Sequence, residues 1–319
     1  MTNISLWNNL DTQKRKYHNG GQKKNDRESE AYVMDIRFEK REHLKEKPDQ
    51  KHLGFGKYMT DYMFVMDWTK EEGWKDARIV PEGPITMDPA CVTLHYAQET
   101  FEGMKAYRTA EGKIQLFRPE MNAKRMINSN ARLCMPELPV DMFVEAVKAL
   151  VKVEEDWVPS EPETSLYIRP FMFATEAALG VHMASAYKFM IICCPVGAYY
   201  AEGINPVKIL VEDELVRAVK GGTGFTKCGG NYAGSILGQV KAEKMGYSQV
   251  LWLDGEHRKY VEEVGTMNIM FKIAGEIYTA PIEGTVLPGV TRDSMIHLLR
   301  DWGYKVNETR LSVDDLMKA

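Results

Sequence analysis

The sequence predicts an α/β protein of two domains, and three observations carry that expectation. The chain has 319 residues, more than one hydrophobic core ordinarily serves. Its second half alternates strand-like and helix-like segments. Between the halves, Gly197 to Asn205 is a Gly-containing stretch ending in Asn-Pro, the composition of a linker. Residues 1–30 read as a mobile polar tail, 31–198 as the N-terminal domain, 199–206 as the linker and 207–319 as the second domain.

Residues 1 to about 50 hold few aliphatics among many Lys, Glu, Asp, Asn and Gln, too little apolar area to offset ordering entropy throughout. Ala31 to Phe38 is the candidate strand there. Met59 to Met66 follows as a strand. Pro139 to Trp157 reads as an amphipathic helix with Phe143, Val147, Leu150 and Val151 on one face. Tyr187 to Val196 is a continuous apolar run of buried-strand length, and Cys193 and Cys194 lie inside it. Beyond the linker, Val207 to Val211 is a strand, and Asn231 to Met245 a helix stopped by Gly246. Gln249 to Leu253 is a strand before an Asp254-Gly255 turn. Met267 to Ile273 and Glu276 to Thr279 flank an Ala-Gly turn, and Thr291 to Trp302 is a helix ending at Gly303. Ser312 to Asp315 has the S-x-x-D form of a helix start, close before the final Ala319.

Composition excludes several function classes. At 44% hydrophobic and 27% charged the chain is ordinary for a globular protein, and a net charge of −4 gives no pull toward nucleic acid or anionic lipid. No apolar run reaches bilayer-spanning length, and the N-terminus lacks the apolar core of a secretory signal, so the cytoplasm is the expected compartment. Five cysteines without CxxC spacing, and scattered histidines, predict neither a disulfide framework nor a metal site.

The segment Gly221 to Tyr232, GGTGFTKCGGNY, is the most unusual, with five glycines around Lys227. It is not a P-loop, because Thr226 and Cys228 stand where Gly and Ser/Thr belong. Nor is it a dinucleotide fingerprint, because Lys227 replaces the third glycine. A glycine-rich surface turn is the plain alternative. The chemical reading is a desolvated lysine amine able to form a Schiff base, with pyridoxal phosphate the common partner. That cofactor needs a carboxylate, a group near its ring oxygen and a phosphate cradle. Glu262 to Asn268, the helix start at Leu287 to Arg292, and the cations around Lys124 and Arg125 could supply them.

Taken together these segments resemble the branched-chain amino acid aminotransferases, among the fold-type IV pyridoxal-phosphate enzymes. The matching motifs are FEGMKAYR from Phe101, LFRPEMNAKRM from Leu116, SLYIRP from Ser165 and CPVGAYY from Cys194. They continue with KCGGNYAGS from Lys227, QVLWLDG from Gln249, EEVGTMNI from Glu262 and LPGVTRDS from Leu287. They run in order from about Gly54 to Leu316.

The resemblance implies a smaller N-terminal α/β domain and a larger C-terminal pseudo-barrel, with pyridoxal 5′-phosphate between them in a homodimer. Lys227 would carry the cofactor and later move the substrate proton. Glu263 would face the pyridine nitrogen and Tyr232 the ring oxygen. Arg125 would bind phosphate, helped by backbone at Gly265, Thr266, Leu287, Val290 and Thr291, with Arg217 a further cofactor-site residue. Phe55, Tyr96, Phe101, Tyr167 and Tyr199 would form an apolar pocket for leucine, isoleucine and valine, some of it across the dimer interface. Arg169 would receive the side-chain carboxylate of glutamate. Family members continue beyond the position of Ala319 with a loop that touches phosphate and substrate, so an incomplete C-terminal domain is expected. A D-amino acid aminotransferase, an aminodeoxychorismate lyase or an inactive truncated relative are the alternatives.

Overall fold

The computed structural model describes residues 34–197 and 205–319. The expected tail at 1–30, most of the linker and Tyr199 lie outside these described residues. Strands of residues 37–196 build one eight-stranded sheet. They are β1 (Arg37–Phe38), β2 (Tyr62–Thr69), β3 (Gly73–Pro81), β4 (Glu99–Phe101), β5 (Met104–Arg108), β6 (Ile114–Leu116), β7 (Ser165–Ala174) and β8 (Ala186–Val196). Their order is β1-β3-β2-β8-β7-β5-β6, with β4 pairing β7 as well. The short helix α1 (Val92–Tyr96) leads into β4, and α2 (Pro119–Arg132) and α3 (Val140–Val153) follow β6.

The core lies between one face of this sheet and the two longer helices. Apolar residues at helical spacing on α3 (Phe143, Ala146, Val147 and Leu150) are fully buried against Phe64, Ile168 and Phe189. The amphipathic helix expected to reach Trp157 ends at Val153, and a separate turn of 3₁₀ helix covers Glu155–Trp157.

The other sheet face matters for function, and strand periodicity decides what it shows. On β7, Leu166, Ile168 and Met172 enter the core, so Tyr167, Arg169 and Phe171 face the opposite way. On β5, Met104 and Ala106 are buried and Lys105 and Tyr107 share that opposite face.

Residues after 205 form β9 (Ile209–Glu212), α4 (Gly229–Lys244), β10 (Gln249–Leu253), β11 (Val261–Val264), β12 (Phe271–Ile273), β13 (Glu276–Thr279), α5 (Val290–Asp301), β14 (Val306–Glu308) and α6 (Val313–Lys318). They make two three-stranded sheets, β11-β10-β9 and β12-β13-β14. The Asp254 carboxylate accepts from the backbone N–H groups of His257, Lys259 and Tyr260, so the β10–β11 connection is a carboxylate-organised loop, where a tight two-residue turn was expected. Ser312 caps α6 by accepting from Asp315 N at 3.1 Å. Among the described residues all five cysteines are free, and no helix is long and apolar enough to cross a membrane.

Candidate active site

Lys227 sits between the Gly221–Gly224 turn and the start of α4, and its backbone is clamped from both sides. Its N–H donates to Ser129 Oγ on α2 at 2.9 Å, and its carbonyl accepts from Phe101 N on β4 at 3.0 Å. The first N–H of α4, on Gly229, donates to the Glu99 carboxylate. The first sheet, α2 and the residues after 205 therefore meet at this lysine. Its Nζ donates to Tyr232 Oη at 2.8 Å and lies 4.7 Å from the centre of the Phe101 ring. Burial, with the Arg125 guanidinium adding to it, brings the amine down to about 8, where a useful fraction is neutral near physiological pH. The same burial pushes the Tyr232 phenol well up, so it stays protonated.

Glu263 is buried near the end of β11. Its Oε1 accepts from Leu287 N at 2.9 Å and Asn268 Nδ2 at 3.0 Å, and Arg217 Nε lies 2.9 Å from its Oε2. Burial raises its carboxyl to about 7 in spite of the Arg217 charge. A cationic ring nitrogen beside it would return it to the ionised state. Glu262, its sequence neighbour, turns to the other side of the strand and accepts from Thr285 Oγ1. Alternation along β11 thus separates the two carboxylates.

Arg125 is nine-tenths buried and forms a two-pronged pair with the fully buried Glu102, at 2.8 and 2.7 Å. Asn122 Nδ2 supports the same carboxylate at 2.8 Å, and Arg125 Nη1 donates to Pro288 O at 3.2 Å. Three of the five guanidinium N–H groups are engaged, leaving two for a phosphate. Close by, α5 begins after Gly289 with no side-chain cap, so the free N–H groups of its first turn remain available to an anion. Gly289 and Gly265 leave room for neighbouring side chains: a Cβ would lie 2.0 Å from Asn268 Oδ1 at the first and 1.9 Å from Gln249 Oε1 at the second, where a φ of +53° also favours glycine.

These groups line a cavity of about 1230 Å³. Of the residues expected from sequence, Arg125, Lys227, Tyr232, Glu263, Thr266, Leu287, Val290 and Thr291 are on its wall, as are Phe55, Phe101, Tyr167 and Arg169. Three others are not. Arg217 stands behind Glu263, and Gly265 shapes the turn behind Thr266. Tyr96 is turned to the surface, where its hydroxyl accepts from Gly180 N at 2.9 Å. Sequence reasoning missed Glu102, Ser129, Asn268, Glu99 and Lys105. Glu102 stood inside a quoted motif, yet only the fold brings it to Arg125.

The donor set fits pyridoxal phosphate: a desolvated amine, a buried carboxylate able to pair with a ring nitrogen, and an uncapped helix start with a guanidinium.

Comparison with known proteins agrees. Residues 99–319 match the family described as amino-transferase class IV. The chain is 52% identical over 284 residues to the branched-chain-amino-acid aminotransferase 2 of Bacillus subtilis, covering 89% of this chain and 78% of that one. It is 48% identical to a branched-chain-amino-acid aminotransferase of Mycolicibacterium smegmatis, covering 83% of this chain and 73% of that one. Among solved structures, the branched-chain amino acid aminotransferase of Thermobaculum terrenum in its PLP-bound holo-form superposes with a TM-score of 0.65 at 25% identity, covering 79% of this chain and 77% of that one. The Escherichia coli branched-chain enzyme gives a TM-score of 0.68 at 27% identity, covering 80% and 79% respectively. The chain belongs to the class IV aminotransferases, in the branched-chain-amino-acid aminotransferase family. It is a pyridoxal-phosphate-dependent transaminase of fold type IV.

Proposed function

We propose that the chain moves amino groups reversibly between leucine, isoleucine or valine and 2-oxoglutarate, giving branched 2-oxo acids and L-glutamate. The observation that carries the reading is the wall facing Lys227. Phe101, Tyr167 and Phe55 supply apolar surface for a branched side chain. Arg169, whose guanidinium lies 4.6 Å from the centre of the Phe101 ring, forms no ion pair among the described residues and can take a second carboxylate.

Pyridoxal phosphate supplies an aldehyde and an electron-withdrawing ring. Lys227, neutral in part because it is desolvated, is the base that takes the proton from the substrate Cα. Glu263 would hold a proton at the ring nitrogen, and Arg217 keeps that carboxylate oriented. Tyr232 would donate toward the ring oxygen, and Arg125 and the start of α5, with Thr266, would hold the phosphate.

The proposal includes a boundary between domains at 199–206, with the cofactor-binding part at 207–319, a homodimer, and residence in the cytoplasm. Tyr107 and Phe117, both on the cavity wall and well exposed, support a partner subunit closing the site.

Lys227→Ala is the direct test. Borohydride reduction of the holoenzyme followed by peptide mass spectrometry should place a pyridoxyl group on Lys227. The variant should keep its circular dichroism and lose both the adduct and transamination. An adduct on another lysine would overturn the assignment.

A further inference from the structure

The charges on the cavity wall do not cancel. Arg125 is closed by Glu102, Glu263 by Arg217 and Arg292 by Glu308 at 3.0 Å. Glu99 accepts from the first N–H of α4, which anchors its carboxylate but leaves its charge in place. Besides Lys227, two cations remain. Arg169 hydrogen-bonds only to the Tyr167 hydroxyl, at 2.7 Å from Nη2, and has no ion pair among the described residues, although the Glu99 carboxylate acts on it through space. Lys105 has neither a hydrogen bond nor an ion pair among the described residues, yet it is partly buried and lines the cavity.

Register places these two together. β5 and β7 are antiparallel, with Lys105 directly opposite Tyr167. Residues opposite one another in such a pair share a face, with Cβ atoms about 5 Å apart, and a diagonal neighbour two residues on lies roughly 7–8 Å away. Arg169 is that neighbour. The two long cationic side chains therefore flank Tyr167 on the same floor, and an anion above the tyrosine ring is within reach of both. Burial lowers the Lys105 amine from its ordinary value with no partner to offset it. A carboxylate arriving there relieves that desolvation, so the site is built to gain from an anionic ligand.

We propose that Lys105 is a substrate-binding residue that joins Arg169 in holding the distal carboxylate of the dicarboxylic partner. Glutamate and 2-oxoglutarate are then gripped by two cations, whereas a branched side chain rests on the rings of Phe101 and Tyr167. This rests on the function proposed above and extends it: selectivity for a five-carbon dicarboxylate is shared between two strands of the sheet.

The test uses the holoenzyme with Lys105→Met and Lys105→Arg. Single-turnover rates of the pyridoxamine form are measured with 2-oxoglutarate and with 4-methyl-2-oxopentanoate, and inhibition with glutarate and with 4-methylpentanoate. Lys105→Met should weaken 2-oxoglutarate and glutarate by about tenfold and change the two monocarboxylates by less than about twofold, as expected for loss of one charge-assisted hydrogen bond. Lys105→Arg should restore most of the loss. Equal weakening of all four ligands would assign Lys105 to the carboxylate they share and overturn the inference, as would no change or a loss that arginine does not rescue. Wild-type enzyme that transaminates neither 2-oxo acid would strike at the proposed function instead, and glutarate binding would still judge Lys105.

Discussion

Lys227 Nζ donates to the Tyr232 hydroxyl at 2.8 Å, five residues on and within the first turn of α4. The hydroxyl oxygen accepts from the ammonium, so it favours the charged amine and works against the burial that brings Lys227 to about 8. Tyr232→Phe removes the acceptor and leaves the burial. In cofactor-free protein the amine should then titrate lower still, by about one pH unit, since a hydrogen bond to a charged group contributes on the order of 1.5 kcal/mol. The pH dependence of labelling by cyanate, quantified at Lys227 by mass spectrometry, reads the midpoint directly. An unchanged or higher midpoint would show that the phenol does not hold the ammonium.

A further buried carboxylate, at the end of α3, sets a stability trend. Glu154 closes α3, is 1% exposed, and accepts from Tyr62 N. Burial raises it to about 7, and the nearby Asp61 charge adds to the shift. An acid whose value rises on folding binds more protons when folded. Its stabilisation is complete below the unfolded value near 4.5 and is lost as pH climbs through about 7. That interval corresponds to at most about 3 kcal/mol. Glu263 shifts in the same direction, so cofactor-free wild type should lose stability between about pH 5 and 7.5. Glu154→Gln should remove roughly half of that slope, as measured by urea unfolding at both pH values. A slope of wild-type size in the variant would contradict the protonated state of Glu154.

Much of this was legible in the sequence, for reasons of periodicity. The β10 strand at Gln249–Leu253 and the apolar run of β8 matched their expected bounds closely, because local pattern alone defines a buried strand. The helix now seen at Gly229–Lys244 was expected two residues later, since two glycines mask its start. The strand expected at Met59–Met66 begins at Tyr62, because Thr60 and Asp61 are buried by hydrogen bonds that composition does not reveal. Of the segment expected as a strand from Met267, only Phe271–Ile273 pairs. Met267 instead folds back on Val264 to close the turn that carries Gly265 and Thr266. In the cavity, motif residues came together as expected, but Glu102, Ser129 and Lys105 act through long-range pairing, and one sequence does not encode register legibly. Tyr96 shows the converse. An aromatic residue beside a motif was expected in the pocket, and one left-handed residue, Ala97 at φ +51°, ends α1 and turns the chain into β4, leaving Tyr96 on the surface.

Gly103 gives the most local test of the aromatic floor. A Cβ at this position would lie 2.3 Å from Tyr167 Oη, the atom that accepts from Arg169 Nη2 at 2.7 Å. The clash falls on the far end of a side chain, so Gly103→Ala should fold, with Tyr167 swung toward Phe55, whose ring centre is 4.9 Å away. Arg169 then loses its anchor and the pocket narrows. Both effects raise KM: for leucine through the displaced ring, and for 2-oxoglutarate through the loosened guanidinium as well. Tyr167→Phe separates them, because it keeps the ring and removes only the acceptor. It should raise KM for 2-oxoglutarate by about fivefold, a loss on the order of 1 kcal/mol, and leave leucine nearly unchanged. Steady-state kinetics of the two variants with both substrates decides the matter. Wild-type constants in Gly103→Ala would mean that Tyr167 does not need the space the glycine leaves.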